Sequence, residues 1–163
     1  MEPLTERQIR GNFVNLTKGQ ASRLTVPRDL ADRPWEDLDY LGWRDPQSPD
    51  RAYLVAVLDG RTRGLALRRP GPGPWRKRRS MCSLCLTSHT GGVSLMVAPR
   101  AGKAGQRGDS VGLYVCEDLD CSLYLRGRKG AELGGGVEES LTLEEKVGRM
   151  HGNLAVFLDR VTR

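Results

Sequence analysis

All four cysteines fall in two short clusters, and their spacing constrains the fold more than any other feature of the sequence. Two residues separate Cys82 from Cys85, four separate Cys116 from Cys121, and thirty lie between the two pairs. A Cys-x-x-Cys turn can direct both sulfurs towards one ion, and a second pair completes the tetrahedron that zinc prefers. The spacing therefore predicts one structural zinc ion bound by four thiolates, with no open coordination position.

Three other uses of these cysteines are open at this point: two disulfides, a thioredoxin-like redox pair, or four unrelated buried thiols. A redox pair would leave the second cluster without a role. His89 lies four residues after Cys85 and could replace a cysteine as a ligand. Because four thiolates already complete the tetrahedron, we expect His89 to lie beside the site as a hydrogen-bonding residue.

The first residues of the chain contain neither the basic nor the apolar region of an export signal. No apolar run approaches the roughly 20 residues of a membrane span. We therefore expect a cytoplasmic protein without a membrane partner. A reducing cytosol also disfavours disulfides and leaves the thiolates available for metal.

The composition indicates a thin core. Aromatic residues make up 6% of the 163 residues and glycine contributes 20, so loops should be abundant and a metal ion would compensate for sparse packing. This length accommodates one domain, or one domain with a small appendage. We divide the chain into an N-terminal helix with an irregular docking segment at 1–50 and a zinc-binding domain at 51–163.

The N-terminal region shows one clear helix signal. Thr5 and Gln8 form a capping box, and the apolar residues that follow at helical spacing predict a helix from about residue 6 to 17. Residues 30–49 are acidic and contain three prolines, so we expect an irregular segment there. Its large apolar side chains are predicted to dock on the core: Trp35, Leu38, Tyr40, Leu41 and Trp43.

The rest of the chain alternates strand and turn signals and ends in a helix. Asp59-Gly60 joins two β-rich runs, which predicts a hairpin, and further strands are expected at 93–97 and 110–115. Acidic residues from Asp118 onwards favour a helix that carries Cys121. A second capping box, at Thr142, begins an amphipathic helix over about 142–161.

A knuckle, a hairpin and a helix bearing the last ligand form a treble clef. The predicted fold class is therefore α+β: a small antiparallel β-sheet with a four-cysteine treble-clef zinc finger and flanking helices.

Positive charge is concentrated in the middle third of the chain. Residues 51–107 carry twelve basic side chains and one acidic side chain, although the net charge of the whole chain is only +6. The densest run comprises Arg76, Lys77, Arg78 and Arg79, just before the first cysteine pair. Such a run suits a phosphate backbone or an acidic protein face, and the alternative is a solvated basic loop.

The sequence lacks the residues of common hydrolytic and phosphoryl-transfer sites. His89 and His151 are its only histidines, and it contains no Gly-x-Ser-x-Gly, P-loop or His-Glu-x-x-His motif. We therefore expect a protein that is not an enzyme and has no small-molecule substrate.

Three segments together resemble a known family: residues 77–85, the Ser88-His89-Thr90-Gly91-Gly92 stretch, and the Cys116-x4-Cys121-Ser-Leu-Tyr sequence. They are similar to the FBP domain, the treble-clef zinc domain of FusB-type elongation factor G-binding proteins. The likeness covers roughly residues 50–163, and the N-terminal part looks like the stand-alone actinobacterial form. The resemblance implies that the four cysteines bind zinc.

The resemblance also implies a partner. The best-known members of the family bind elongation factor G on the ribosome and promote its release, which gives resistance to fusidic acid. By position, the knuckle around Leu84 and the loop containing Arg107 would form the matching surface, with an exposed Leu84 as its apolar anchor. The alternative is that Leu84 packs inside the knuckle.

Three function classes follow. The first is a zinc-stabilised module that binds a translation GTPase, elongation factor G or another translation factor. The second is a ribosome- or RNA-binding zinc finger that uses the basic run at 76–79, with rRNA as its partner. The third is a scaffold with some other partner.

Overall fold

The fold is built on a five-stranded antiparallel sheet. The computed structural model describes residues 1–69, 71, 79–130 and 139–163. The helices are α1 Glu6–Gly11, α2 Lys18–Arg23, α3 Gly102–Gln106, α4 Cys121–Leu125 and α5 Leu143–Thr162. The strands are β1 Tyr40–Arg44, β2 Arg51–Leu58, β3 Arg61–Arg68, β4 Arg79–Met81, β5 Ser88–Thr90, β6 Val93–Pro99 and β7 Ser110–Cys116. The main sheet has the order β1-β2-β3-β6-β7, and β4 and β5 form a separate ribbon, so the predicted α+β class is confirmed.

The β2–β3 hairpin follows from its turn sequence. Asp59 and Gly60 have positive φ angles of 50° and 70°, the geometry of a two-residue turn that matches the twist of the flanking strands. Leu58 pairs with Arg61 across the turn, as the Asp-Gly signal predicted. The strands expected at 93–97 and 110–115 are also present, as β6 and β7.

One face of the sheet packs against α5 and the cysteine-bearing segments. The buried residues of the helix are Met150, Leu154, Phe157, Leu158 and Val161. Thr142 caps the helix through the predicted capping box with Glu145. At the other end, Arg100 donates to the carbonyl oxygens of Arg160 and Arg163, which places a cation at the negative end of the helix dipole. Among the described residues, no helix has the length and apolarity needed to cross a bilayer.

Residues from the N-terminal region cover the opposite face of β1, β2 and β3. Phe13, Trp43 and Tyr53 form an aromatic cluster there, with ring centroids 5.2 to 6.5 Å apart. The five side chains that were predicted to dock on the core are all buried, with exposures between 0 and 7%. We call residues 1–38 the N-terminal layer.

Two details predicted for this region are wrong. The helix expected over 6–17 ends at Gly11, because Asn12 and Val14 form backbone hydrogen bonds with Gly64 of β3. Thr17 then begins the separate helix α2 with a capping box of its own. The segment 30–49 is not wholly irregular, because β1 lies within it and pairs along its whole length with β2.

The N-terminal layer is tied to the cysteine-bearing segments through β1. Arg126, at the end of α4, donates hydrogen bonds of 2.6 and 2.9 Å to the Asp39 carboxylate. The Asp39 N–H donates to the Ser122 hydroxyl at 2.9 Å. Gly42 lies so close to the loop before α4 that a Cβ there would be 2.5 Å from the Leu119 Cβ. Residues on both sides of position 50 therefore share one sheet and one set of contacts.

Gly42→Ala tests this close approach. We expect it to lower the free energy of unfolding by about 1–3 kcal/mol, because the added methyl group must displace Leu119 and its loop. Urea denaturation of the zinc-loaded protein measures the change. Gly148→Ala is the control, since a Cβ at this position in α5 meets nothing within 4 Å. That substitution should stabilise the protein by up to about 1 kcal/mol, and a similar result for Gly42→Ala would contradict the packing.

Candidate metal centre

The first cysteine pair lies on a tight turn between β4 and β5, residues 82–87, which we call the knuckle. The Leu86 N–H donates to the Cys82 carbonyl and the Cys82 N–H donates to the Thr87 carbonyl, both at 2.9 Å. The Ser83 N–H donates at 2.7 Å to the carbonyl of Tyr114 on β7. These hydrogen bonds close the turn and fix it against the edge of the main sheet.

The second pair lies at a strand end and a helix start. Cys116 is the last residue of β7 and Cys121 is the first residue of α4. Between them the Leu119 N–H donates to the Cys116 carbonyl at 3.0 Å, and Leu119 has a φ of 62°. This short loop turns the chain back, so that the helix brings its cysteine to the knuckle. A knuckle, a strand and a helix bearing the last ligand form the treble clef that the sequence predicted.

The four sulfur atoms are close enough to bind one ion. They lie within 4.8 Å of one another, and all four cysteines are free and buried. The Sγ atoms of Cys82 and Cys121 are 3.6 Å apart, as are those of Cys85 and Cys116. Tetrahedral zinc with bonds of about 2.3 Å separates its sulfur ligands by roughly 3.8 Å. The cluster therefore fits one structural zinc ion, in agreement with the predicted cofactor.

The chemistry of the pocket also favours a divalent cation. Contacts with Cys116 and Cys121 lower the pKa of both Cys82 and Cys85. Burial raises the pKa of Cys121, and contact with Cys121 raises that of Cys116. The pKa values of the four thiols diverge because four negative charges cannot share one buried pocket without a compensating positive charge. A zinc ion removes the conflict, since it stabilises all four thiolates at once.

His89 contacts the cluster from β5. It is 3% exposed, and its Nε2 lies 3.4 Å from the Cys116 Sγ. A zinc-bound thiolate accepts hydrogen bonds, so this geometry requires the tautomer with its proton on Nε2. The Tyr124 ring packs edge-on at a centroid distance of 4.5 Å, and a Cβ at Gly92 would lie 3.0 Å from the imidazole. His89 therefore takes the hydrogen-bonding position that was expected for it.

A polar network braces the loop between the second pair of cysteines. Lys129 donates to Asp118 and Asp120, both at 2.7 Å, and the Tyr124 hydroxyl donates to Asp118 at 2.7 Å. Burial opposes ionisation of Asp118, but the hydrogen bonds from Lys129 and Tyr124 lower its pKa overall. Sequence reasoning missed this network, because a lysine eleven residues from its carboxylate partner gives no local signal.

A model of the FBP C-terminal treble-clef zinc-finger family matches residues 8–161. The chain belongs to this family. The FBP match is longer than the likeness seen in the sequence at 50–163, and it includes the last four residues of α1 and all of α2 and β1. Members of the FBP family are typically non-catalytic binding proteins. No curated protein and no solved structure matches the chain.

The remaining residues that were predicted to form sites differ in their exposure and position. Leu84 is 1% exposed and packs in the core beside α5, where Asn153 donates to its carbonyl at 3.0 Å. The expectation of an exposed Leu84 is therefore wrong, because the side chain points from the knuckle into the core. Arg107 is exposed and caps α3. Arg79 begins β4, whereas residues 76–78 of the basic run lie outside the described residues.

Cys116→Ser tests the ligand set. We expect one zinc ion per wild-type chain and loss of the ion in the variant, because a serine hydroxyl does not replace a thiolate ligand. Without the ion, the end of the sheet at β7 should unfold, since metal binding supplies part of the folding free energy. Metal analysis and circular dichroism measure these effects. A metal-free but fully folded variant would contradict a structural role for the ion.

His89→Ala tests the hydrogen bond to Cys116. We expect the zinc affinity to fall about 10- to 100-fold with the stoichiometry unchanged, because the residues that orient metal ligands typically contribute this much. Competition with a chromogenic chelator measures the affinity. His151→Ala is the matched control, since His151 makes no hydrogen bond to a cysteine within the described ranges. Nitrogen ligation at the zinc absorption edge would show instead that His89 is a ligand.

Proposed function

We propose that this protein is a non-catalytic binding module that binds elongation factor G directly and modulates its release from the ribosome. The observation that carries the proposal is membership of the FBP family together with the intact four-cysteine cluster. The protein would then act in the cytoplasm on a translation factor, without a membrane or a small-molecule substrate.

The zinc centre supplies a preformed surface for such a partner. The ion and the hydrogen bond from Ser83 to Tyr114 both restrain the knuckle, so docking there costs little conformational entropy. Leu84 cannot serve as the anchor, because its side chain is buried. Met81 immediately precedes Cys82 and is 55% exposed, so we assign the role of apolar anchor to Met81 instead.

The segment 99–110, which contains α3, forms the second part of the proposed surface, at the other end of β7. Tyr114, which contacts the knuckle, is four residues beyond Ser110, a strand length of roughly 14 Å. The Arg107 N–H donates to the Lys103 carbonyl at 3.1 Å, which keeps the loop compact. Lys103 and Arg107 are both exposed. These cations would attract an acidic partner and make the association sensitive to salt.

Calorimetry with purified elongation factor G, in the absence of RNA, tests the proposal. We expect the zinc-loaded protein to bind with a Kd below tens of micromolar. The double variant Met81→Asp, Arg107→Glu should weaken binding at least about tenfold, because it removes the anchor and reverses a charge.

The matched control is the double variant Val156→Asp, Arg61→Glu, which changes the net charge by the same amount. Val156 on α5 is 62% exposed and Arg61 is exposed at the β2–β3 turn, so neither lies on the proposed surface. The control should bind like the wild type. No detectable heat for the wild type would reject this partner, and equal losses in both double variants would reject the proposed surface.

A further inference from the structure

The N-terminal layer covers only part of its sheet face. It packs over β1, β2 and β3, in a core that includes Tyr53 and Ala66. Asn15 marks the border of this layer, because its side-chain amide donates to the carbonyls of Ala66 and Pro99 at 2.9 and 3.0 Å. The sheet has one hydrophobic core beneath α5 and a second beneath the N-terminal layer. Beyond the border at Asn15, the side chains in the middle of β6 and β7 that point away from α5 pack in neither of these cores within the described ranges.

The strand register identifies the residues of this uncovered strip. Met96 and Val115 point into the core beneath α5, so the alternate residues of β6 and β7 point outward. Arg68 of β3 is directly opposite Val97 and joins the same side. We call the following residues the open face: Arg68, Leu95, Val97, Gly112 and Tyr114.

Tyr114 and Leu95 form the apolar centre of the open face, with exposures of 51% and 36%. The Tyr114 carbonyl accepts a hydrogen bond from Ser83 on the outer edge, so Tyr114 and Leu95 form a non-hydrogen-bonded cross-strand pair. Side chains in such pairs approach each other most closely. Leu95 also leans over Gly112, where a Cβ would be 3.1 Å from the Leu95 Cδ1. The accessible ring of Tyr114 therefore lies beside a flat apolar surface formed by Leu95 and Gly112.

Two arginines with like charge lie on one side of this centre, on the neighbouring strands β3 and β2. Arg51 and Arg68 are directly opposite each other on β2 and β3, and both are exposed. The adjacent hydrogen bond, from the Arg69 N–H to the Asp50 carbonyl, places the two arginines in a closely spaced non-hydrogen-bonded pair. Neither Arg51 nor Arg68 forms a salt bridge within the part of the chain that the structure describes, although the Arg51 side chain also interacts with the Tyr53 hydroxyl. Opposed like charges destabilise a sheet, and a phosphate group between them would remove the repulsion.

We propose that the open face, together with the adjacent Arg51 of β2, binds single-stranded RNA, with a base stacked on Tyr114 and a phosphate group held by Arg51 and Arg68. Exposed aromatic rings flanked by cations on a sheet face are a general means of binding unpaired nucleotides. The open face contains no acidic residue, and residues 51–107 carry twelve basic side chains against one acidic side chain. Charge and surface chemistry therefore both match a polyanion with accessible bases.

The geometry favours a single strand over a duplex. Bases in a duplex are already stacked on one another, so only unpaired bases can stack on the Tyr114 ring. The open face shares no residue with the two positions assigned to elongation factor G, Met81 on β4 and Arg107 after α3, although Tyr114 lies on β7 between those two parts. The RNA proposal therefore does not depend on the factor as a partner.

Fluorescence anisotropy with a labelled U-rich RNA of about ten nucleotides tests the proposal on the zinc-loaded full chain. Tyr114→Ala should weaken binding about 5- to 150-fold, the range measured for loss of one base–aromatic stack. Tyr114→Phe keeps the ring and should bind like the wild type. Arg68→Gln should reduce the slope of log affinity against log salt by about 0.7, the value for one phosphate contact to a single strand.

Val156→Ala and Arg61→Gln are the matched controls, because they remove an exposed aliphatic side chain and an exposed cation outside the open face. Both should leave the affinity near that of the wild type. Zinc content and thermal unfolding show whether each variant is folded. Since Tyr114 is half exposed and its sheet contact is made by the backbone, Tyr114→Ala should keep both unchanged.

Several outcomes would overturn the proposal. These are absence of binding by the wild type, equal affinity for an RNA duplex, and unchanged affinity of Tyr114→Ala. A loss confined to a variant that neutralises Arg76, Lys77, Arg78 and Arg79 would place the RNA contact on the basic run instead. Loss of affinity of Tyr114→Ala for elongation factor G, with RNA binding intact, would assign the open face to a protein partner.

Discussion

Closure of two thiolate pairs around one ion is the interaction on which the rest of the structure depends. The pairs come from the knuckle, from the end of β7 and from the start of α4, so a single ion joins three elements. The knuckle in turn supports α5, because Leu84 packs in the core beside the helix and Asn153 donates to its carbonyl. In a chain with few aromatic residues, metal binding thus contributes free energy that apolar burial supplies in richer cores.

The same constraint reaches β1 and the residue before it, which join the N-terminal layer to the sheet, although neither supplies a ligand. Asp39 receives two hydrogen bonds from Arg126 just after α4, and Gly42 lies against the loop that precedes Cys121. The pair of Arg126 and Asp39 is largely shielded from water, with the Asp39 side chain 8% exposed, so removal of either partner would leave a costly buried charge. Movement of α4 therefore affects β1 directly, and the family match from residue 8 to 161 is consistent with one structural unit.

Local signals in the sequence were sufficient for much of the fold. The capping boxes at Thr5 and Thr142, the Asp59-Gly60 turn and the cysteine spacing each act within a few residues, and the structure contains all of them. Contacts between residues distant in the sequence determine the features that local signals did not predict. Hydrogen bonds to Gly64 end α1 early, and pairing with β2 converts part of an irregular segment into β1. The direction of Leu84 could not be read from the cysteine motif, because packing beneath α5 determines it.

The hydrogen bond from Ser83 to Tyr114 has a further consequence for the metal-free chain. β7 is an edge strand, and the knuckle occupies part of its outer rim. An edge strand without such a cover presents unpaired N–H and C=O groups that can pair with the strand of another molecule. Loss of zinc would free the knuckle and loosen the end of β7, so the backbone groups of this strand would be uncovered next to the exposed Tyr114 and Leu95. Zinc binding thus disfavours self-association through edge-strand pairing, and we expect the metal-free protein to aggregate.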